Sequence, residues 1–282
     1  MKTTKKILML MLAVALVLGL AACSNSNPPA PDEIENPVIR LSTTTSVNDS
    51  GLLSYLQPVF ESDTGYILEI SSAGSGAAIE KGRTGDADCL LTHSASAEQA
   101  FIDEGYNEER VVFMHNFFVI VGPPDDPAGV EGSADASEAF TKIAETPGAI
   151  FVSRGDNSGT HVAEGNIWAQ TDVDPEGQDW YVSVGQGMGA SLNVASEMEA
   201  YILTDKATYL AHDLRDTMAI HLEKSDQLIN IYALIAISPE RYDDTNAQGA
   251  EAFIAWMTSP KALGMINEFG VAEYGEGLFF AD

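Results

Sequence analysis

The feature that most constrains the fold is a repeated alternation of strand-like and helix-like segments joined by short polar loops. It runs from Val38 to about Phe269. Short apolar runs such as Tyr66–Ile70 (YILEI) and Tyr232–Ser238 (YALIAIS) predict buried strands. The longer apolar run Val111–Val121 predicts a pair of strands broken at His115-Asn116. Between them, apolar residues recur at helical spacing, as in Leu52–Phe60. This rhythm predicts an α/β protein in which a parallel or mixed sheet is covered by helices.

A Pro-rich polar segment, Gly122–Pro127 (GPPDDP), divides the alternation into two units. The late apolar strand near Tyr232 is expected to return to the first sheet. We therefore predict two lobes, with residues 37–122 and 231–282 in lobe 1 and residues 123–230 in lobe 2. Two connections between the lobes would then act as a hinge.

Residues 1–22 have the pattern of an export signal, because three lysines precede the apolar run Ile7–Leu20 and small residues follow it. The run is about 14 residues long, whereas a membrane-spanning helix needs roughly 20. A signal peptide is therefore favoured over a transmembrane anchor. Residues 23–36 are polar and Pro-rich, which predicts a flexible tether.

The acidic composition excludes several kinds of partner. The chain has 14 Lys and Arg against 42 Asp and Glu, a net charge of −28. Nucleic-acid binding needs a basic face, and none appears. The five histidines lack H-x-x-x-H spacing, and the two cysteines, Cys23 and Cys89, give no disulfide framework, so we predict no metal centre. Cys89 lies in an apolar segment and is expected to be buried.

Three loops rich in Ser, Thr and Gly each follow a predicted strand and precede a predicted helix. They are Thr43–Ser46 (TTTS), Gly74–Gly76 (GSG) and Ser153–Thr160 (SRGDNSGT). Helix N-termini and hydroxyl groups favour a bound anion. Arg154, the one full positive charge in these loops, has a planar donor fork that suits oxyanions. The alternative for each loop is ordinary helix capping.

These loops belong to a set of segments that strongly resembles the tungstate-binding proteins of ABC importers. The set comprises Thr43–Ser46, Gly85–Asp88 with His93, Ser153–His161, Trp180-Tyr181, Gly185–Glu197 and Tyr201–Leu210. The resemblance implies a two-lobed, periplasmic-binding-protein-like fold of type II, with each lobe a mixed sheet flanked by helices. It also implies a monomeric binding protein, not an enzyme, that holds tungstate between the lobes and delivers it to a membrane permease.

The resemblance also implies specific site residues. By matching positions, the oxyanion would contact Thr44, Ser46, Ser75, Arg154, Ser158 and Thr160. The second loop departs from the family pattern, since Ser75 stands where Thr is expected, but it keeps the hydroxyl. Leu-Ala-Ala-Cys resembles a lipobox, which implies that Cys23 is lipidated and anchors the exported protein to the outer face of the cell membrane. No cofactor is implied beyond the ligand, tungstate or molybdate.

The residues leave the ligand and one other function class open. Phosphate keeps a proton near neutral pH and needs an acceptor. Asp156 could be that acceptor, or it could orient Arg154 or cap the next helix. Phosphate, sulfate and molybdate therefore stay alternatives to tungstate. A secreted serine hydrolase is the other class, and it requires Ser158, His161 and an acid within hydrogen-bond reach.

Overall fold

The structure, a computed structural model, describes residues 34–107, 109–212, 214 and 216–282. Its strands are β1 (Val38–Thr44), β2 (Ile67–Ala73), β3 (Cys89–Thr92), β4 (Val111–Gly122), β5 (Phe151–Ser153), β6 (Tyr181–Ser183), β7 (Tyr201–Asp205), β8 (Ala219–Leu222), β9 (Ile229–Ala236) and β10 (Phe280–Ala281). Its helices are α1 (Thr45–Asp49), α2 (Leu52–Thr64), α3 (Ser75–Thr84), α4 (Ala95–Asp103), α5 (Ala136–Glu145), α6 (Gly159–Trp168), α7 (Met188–Glu197), α8 (Lys206–Ala211), α9 (Ala247–Met257), α10 (Pro260–Glu268) and α11 (Val271–Tyr274). The predicted α/β alternation is confirmed.

The strands pair in the order β2-β1-β3-β9-β4-β7-β5-β6, and β8 and β10 also pair with β4. β1 is parallel to β2 and β3, and β5 is parallel to β6 and β7. The pairs that involve β4 or β9 are antiparallel. The sheet is therefore mixed, as predicted, with a parallel group at each end.

Strand β4 joins the two halves of this sheet. Up to Phe117 it pairs with β9, and from Phe118 it pairs with β7. The prediction that His115-Asn116 breaks this strand in two is wrong. Both residues keep their backbone pairing with β9, and the buried Asn116 side chain finds a polar partner in Asn230. The lobe boundaries at 122/123 and 230/231 stay predictions.

Helices cover both faces of the sheet half that contains β5, β6 and β7. On one face, Phe140 of α5 and Trp168 of α6 pack with Phe151. On the other face, α7 contributes Met188 and Leu192. Neighbouring β-strand residues point to opposite faces, so β4 supplies side chains to both cores.

The other half of the sheet has its own core. Ile79 of α3 and Phe101 of α4 pack against Leu90 of β3 and Ile235 of β9. Elsewhere in this half, Phe60 of α2 packs edge-on against Phe253 and Trp256 of α9. Cys89 of β3 is fully buried, as predicted, and burial raises the pKa of its thiol.

This topology places the three polar loops at the carboxyl ends of parallel strands. β1 leads into α1, β2 into α3, and β5 into α6. In open α/β sheets, ligands bind outside the carboxyl ends of the strands. The fold therefore presents the loops where a ligand site is expected.

The N-terminal predictions concern a part of the chain that lies outside the described residues. The signal peptide over residues 1–22, the lipidated Cys23 and the tether up to residue 33 all belong to it. Within the described ranges, no helix combines the length and the apolar character needed to cross a bilayer.

Gly122, the last residue of β4, is in close contact with the ring of Tyr201. A Cβ atom at Gly122 would lie 2.3 Å from Tyr201 Cδ1. The Tyr201 ring is fully buried and its hydroxyl donates to Asp126. Gly122→Ala is expected to lower the free energy of unfolding by about 1–3 kcal/mol, the usual cost of overpacking, as measured by urea unfolding.

The matched control is Gly264→Ala in α10, where nothing lies within 4 Å of the added Cβ. Because alanine is the better helix former, this variant is expected to keep or raise the stability of the protein. Equal stabilities of the two variants would contradict the predicted clash at Gly122.

Candidate functional site

The structure brings the three polar loops into contact. Ser75 Oγ of the second loop accepts a hydrogen bond from Gly159 N of the third at 2.8 Å. Arg154 Nη2 of the third loop donates to Thr45 Oγ1, just after β1, at 3.2 Å. The first loop is shorter than predicted, because Thr44 still belongs to β1 and α1 begins at Thr45. Residues far apart in sequence thus form one site.

Arg154 is the cation of this site and is only 1% exposed. Its Nη2 also donates to Asp156 Oδ2 at 2.6 Å. Among the residues that the structure describes, neither Nε nor Nη1 of Arg154 has a hydrogen-bond partner. A buried donor without a partner is costly. Two sides of the guanidinium are therefore available to an acceptor.

Three buried hydroxyl groups accompany Arg154. Ser75 Oγ accepts from Gly159 N, and Ser158 Oγ accepts from His161 N at 3.2 Å as the N-cap of α6. Because each oxygen accepts from a backbone N–H, each hydroxyl hydrogen remains free to donate. Thr160 Oγ1 is buried and has no partner within the described ranges. These predicted site residues form a set of donors.

Helix N-termini add positive potential to the same place. α3 and α6 begin in contact through Ser75 and Gly159. α7 begins next to Thr45, since a Cβ at Gly187 would lie 3.5 Å from Thr45 Cγ2. The first N–H groups of a helix have no partner within the helix and carry the positive end of its dipole. The site therefore attracts anions through backbone groups as well as through Arg154.

Each carboxylate oxygen of Asp156 accepts one hydrogen bond. Oδ2 accepts from Arg154, and Oδ1 accepts from Ser158 N at 3.1 Å. Asp156 therefore orients Arg154 and also holds the backbone of the loop before α6 through Ser158 N. Orienting Arg154 is one of the roles considered from the sequence.

Thr44 and Ser46 lie at one end of a second polar group. Their hydroxyl oxygens are 3.2 Å apart, and Ser46 Oγ lies 3.2 Å from His93 Nε2. His93 Nδ1 lies 2.8 Å from Asn230 Oδ1. Burial lowers the pKa of His93 to about 4, and the charge of Arg154 acts in the same direction. The imidazole is therefore neutral at neutral pH. Its Nε2 is hydrogen-bonded to Ser46 Oγ, one of the hydroxyl groups predicted to contact the anion.

A buried carboxylate, Asp205, lies at the end of β7 near this group. It caps α8 by accepting from Thr208 N at 2.9 Å, and Thr208 Oγ1 contacts both Asp205 and Ser46 O. Burial raises the pKa of Asp205 to about 6, while the bonds from Thr208 and the charge of Arg154 oppose the rise. Asp205 is a second negative group that faces Arg154.

Sequence reasoning missed several residues of this site, namely Thr45, His93, Asp205, Thr208 and Asn230. Thr45 stood inside a predicted loop, and His93 was noted only as part of the family resemblance. Asn230 and Asp205 are polar residues in otherwise apolar strands. A buried polar residue needs a hydrogen-bond partner. Their position in apolar strands was therefore the one feature of the sequence that could have pointed to these two residues.

Comparisons with known proteins agree with this geometry. The profile of the PBP superfamily domain matches residues 31–261. The tungstate-binding protein TupA of Peptoclostridium acidaminophilum is 41% identical over 282 residues, which cover 98% of each chain. This chain belongs to the TupA family of the PBP superfamily. The predicted family is thus confirmed.

Two solved structures support the assignment to the TupA family. The tungstate-binding protein TupA of Desulfovibrio alaskensis G20 is 40% identical, with a TM-score of 0.74 over 87% of this chain and 99% of that one. A tungstate ABC transporter structure from Geobacter sulfurreducens is 39% identical, with a TM-score of 0.76 over 82% of this chain and 98% of that one. The predicted periplasmic-binding-protein-like fold is therefore confirmed.

Membership of the TupA family makes this chain a solute-binding protein and not an enzyme. The hydrolase alternative also lacks its geometry. Ser158 Oγ accepts from the backbone of His161, while His161 Nδ1 accepts from Asn157 N at 3.0 Å. Within the part of the chain that is described, no three His, Cys, Asp or Glu residues are grouped to hold a metal ion.

Asp205 makes the stability of the fold depend on pH. Its carboxyl has a pKa of about 6 in the folded chain against an ordinary 3.8. The folded state then binds the proton more tightly, so this carboxyl lowers stability as pH rises from about 4 to 6. Asp205→Asn, which keeps an oxygen for Thr208 N, is expected to remove this fall, on the order of 3 kcal/mol.

Urea unfolding of the wild type and of Asp205→Asn between about pH 4 and pH 7 measures this difference. Glu164, whose pKa is raised by burial to about 7, titrates in both proteins and cancels in the comparison. Parallel curves for the two proteins would show that Asp205 does not carry the effect.

Proposed function

We propose that this chain is the substrate-binding component of an ABC importer, that it captures tungstate, and that it delivers the anion to a membrane permease. The observation that carries the proposal is the set of buried donors without partners in the described residues: Arg154 Nε, Arg154 Nη1 and Thr160 Oγ1. Tungstate is a tetrahedral dianion whose oxygens only accept hydrogen bonds near neutral pH. The names of the relatives point to the same ligand.

The donor set also ranks the ligands. Phosphate near neutral pH keeps a proton and needs an acceptor. Asp156 already accepts from Arg154 and from Ser158 N, and a second bond from phosphate would place an anion against this carboxylate, which is unfavourable in a buried site. Sulfate accepts only, but it is a smaller tetrahedron than tungstate. Molybdate matches tungstate in charge and nearly in size, so it is expected to bind as well. The expected order is tungstate and molybdate first, sulfate next and phosphate last.

The acidity of the whole protein does not oppose this function. Removal of residues 1–22 leaves 11 basic against 42 acidic residues. Surface charges farther than about 8 Å from the ligand are largely screened at physiological salt. The buried donors of the site lie against the ligand and are screened much less. Local hydrogen bonding therefore decides whether the anion binds.

The proposal includes a place in the cell. We propose that residues 1–22 are removed, that Cys23 is lipidated, and that residues 24–36 tether a monomeric binding protein near its permease at the outer face of the membrane. The Leu-Ala-Ala-Cys sequence and the polar composition that follows it support this arrangement. No cofactor other than the transported anion is needed.

Substitutions of Arg154 test the ligand site. A hydrogen bond to a charged group contributes roughly 1.5–3 kcal/mol, or about ten- to a hundred-fold in affinity. Arg154→Lys keeps the charge but loses the planar fork, so it is expected to weaken tungstate binding by about tenfold. Arg154→Ala is expected to lose at least about a hundredfold, because the dianion then has no cationic partner. Calorimetric titration of residues 24–282 against tungstate, molybdate, sulfate and phosphate measures both changes.

The control is Arg83→Ala, which removes the same charge from an exposed pair with Glu104. It is expected to bind tungstate as the wild type does. Thermal melts with and without tungstate check that each variant folds. Retention of the full ligand-induced rise in Tm by Arg154→Ala would mean that the anion binds elsewhere.

Cys23→Ala tests the anchor. Without the thiol no lipid can be attached, so the protein is expected in the medium or in the soluble exported fraction and not in the membrane fraction. Fractionation and mass spectrometry of the mature N-terminus measure this. A Cys23→Ala protein that stays in the membrane with its signal uncleaved would favour the transmembrane anchor instead.

A further inference from the structure

A continuous chain of buried polar side chains runs behind the anion site. It connects Thr44 to Ser46, Ser46 to His93 and His93 to Asn230, with separations of 3.2, 3.2 and 2.8 Å. These residues come from β1, α1, the loop after β3, and β9. The donor contacts described above leave His93 and Asn230 without a role. Their position suggests that they act on the ligand through Ser46.

The hydrogen directions along this chain follow from Asn230. Its Nδ2 donates to Asn116 Oδ1 and to Tyr232 Oη, each at 2.8 Å. The carbonyl Oδ1 of Asn230 therefore faces His93 Nδ1. A carbonyl oxygen only accepts, so Nδ1 carries the hydrogen. In a neutral imidazole Nε2 is then an acceptor, and the donor that reaches it is the Ser46 hydroxyl, whose oxygen can accept in turn from Thr44 Oγ1.

This arrangement limits what the first loop can offer to a ligand. A hydroxyl has one hydrogen, and the hydrogen of Ser46 is directed to the imidazole. The oxygen of Ser46 that remains can only accept. An anion that only accepts gains nothing from it. If Nε2 also carried a proton, it would donate to Ser46 Oγ, and the Ser46 hydrogen would be free to point to the anion.

We propose that His93, held by Asn230, is a positioning residue for the oxyanion. As the anion binds, His93 takes up a proton from solvent, and the Ser46 hydroxyl then turns its hydrogen from the imidazole to the ligand. The inference rests on the proposed function and deepens it. It also assigns His93 a role in ligand discrimination. With protonated His93, Ser46 offers a hydrogen-bond donor, which suits an oxyanion that only accepts hydrogen bonds. With neutral His93, Ser46 offers only an acceptor, which suits an oxyanion that carries a proton.

The groups that face His93 support this coupling. The Tyr232 ring lies 5.0 Å from the imidazole and the Phe118 ring 6.3 Å, and Gly159 of α6 lies against it. The charge of Arg154 lowers the pKa of His93, and Asp205 faces Arg154. A dianion beside Arg154 makes the local charge more negative than Asp156 and Asp205 already make it, which raises the pKa of His93 in the complex.

The sign of the pH dependence follows from this shift. The free protein has a His93 pKa of about 4, and the complex has a higher one. The complex then binds more protons, so affinity for the anion rises as pH falls from the higher pKa toward about 4. The slope reaches at most tenfold per pH unit, roughly, for one coupled proton.

The test compares the wild type with His93→Gln, whose amide can donate to Ser46 Oγ at every pH. The probe is tungstate at micromolar concentration, titrated calorimetrically in buffers of different ionisation enthalpy. The wild type is expected to take up a proton near pH 6 that His93→Gln does not take up. From about pH 7.5 to pH 5.5, its affinity is expected to rise at least about threefold more than that of His93→Gln.

Further variants isolate the effect. Asp205→Asn removes the other buried carboxyl that faces Arg154 and that titrates near pH 6. Comparing Asp205→Asn with the double variant Asp205→Asn/His93→Gln therefore isolates His93, and only the single variant is expected to take up the proton. Asn230→Asp places a carboxylate against His93 Nδ1, which raises the pKa of the imidazole. Tyr232 Oη can then donate to the new carboxylate, and so can Asn116 Nδ2, which has no partner in the described ranges, once the Asn116 amide turns over. The pH profile is expected to move to higher pH.

The outcomes separate the two proposals. If the wild type binds tungstate but His93→Gln takes up the same number of protons, the inference about His93 is overturned and the proposed function stands. If the wild type binds none of the four oxyanions, both are overturned. If His93→Gln does not fold, as judged by thermal melting without ligand, an unchanged pH profile in Asn230→Asp overturns the inference.

Discussion

The burial of one guanidinium is the constraint on which the rest of the site depends. Removing a charge from water costs several kcal/mol unless hydrogen bonds and an opposite charge compensate it. Asp156 and Thr45 do so on one side of Arg154. Its other two nitrogens have no partner in the described part of the chain. The fold thus holds a cation with only part of its hydrogen bonds made. A ligand rich in acceptor oxygens can supply the acceptors that Arg154 Nε and Nη1 lack.

Strand order makes this arrangement possible. The loops that surround Arg154 come from two parallel groups of strands, one containing β1 and β2 and the other containing β5. Each group directs its loops and helix N-termini to its own carboxyl edge. The antiparallel strands β4 and β9 lie between the groups and bring the two edges together. The donors of the site can therefore come from distant parts of the sequence.

Much of this could be predicted from the sequence, and the remainder could not for identifiable reasons. Glycine, serine and threonine after apolar runs marked the loops, because local chemistry determines loop and cap positions. Asp156 contacts residues only two positions away, and its role of orienting Arg154 could be considered from the sequence. The roles of Thr45 and Asn230 depend on contacts across 109 and 137 residues, for which a single sequence has no signal. The false break at His115-Asn116 arose because a polar pair in an apolar run resembles a turn. In the fold, Asn116 is buried and bonded to Asn230.

The continuity of β4 also affects how the protein deforms. This strand passes between the two halves of the sheet as hydrogen-bonded backbone, paired with β9 up to Phe117 and with β7 from Phe118. A bend there has to be distributed elastically over several residues, since a sharp rotation at one residue would break ladder bonds. The register shifts of β4 near Val112 and Ile120 are the places where this ladder is already irregular. We therefore expect β4 to bend elastically at this point and to return to one preferred angle. Its amide hydrogens are expected to stay protected from exchange during the bending.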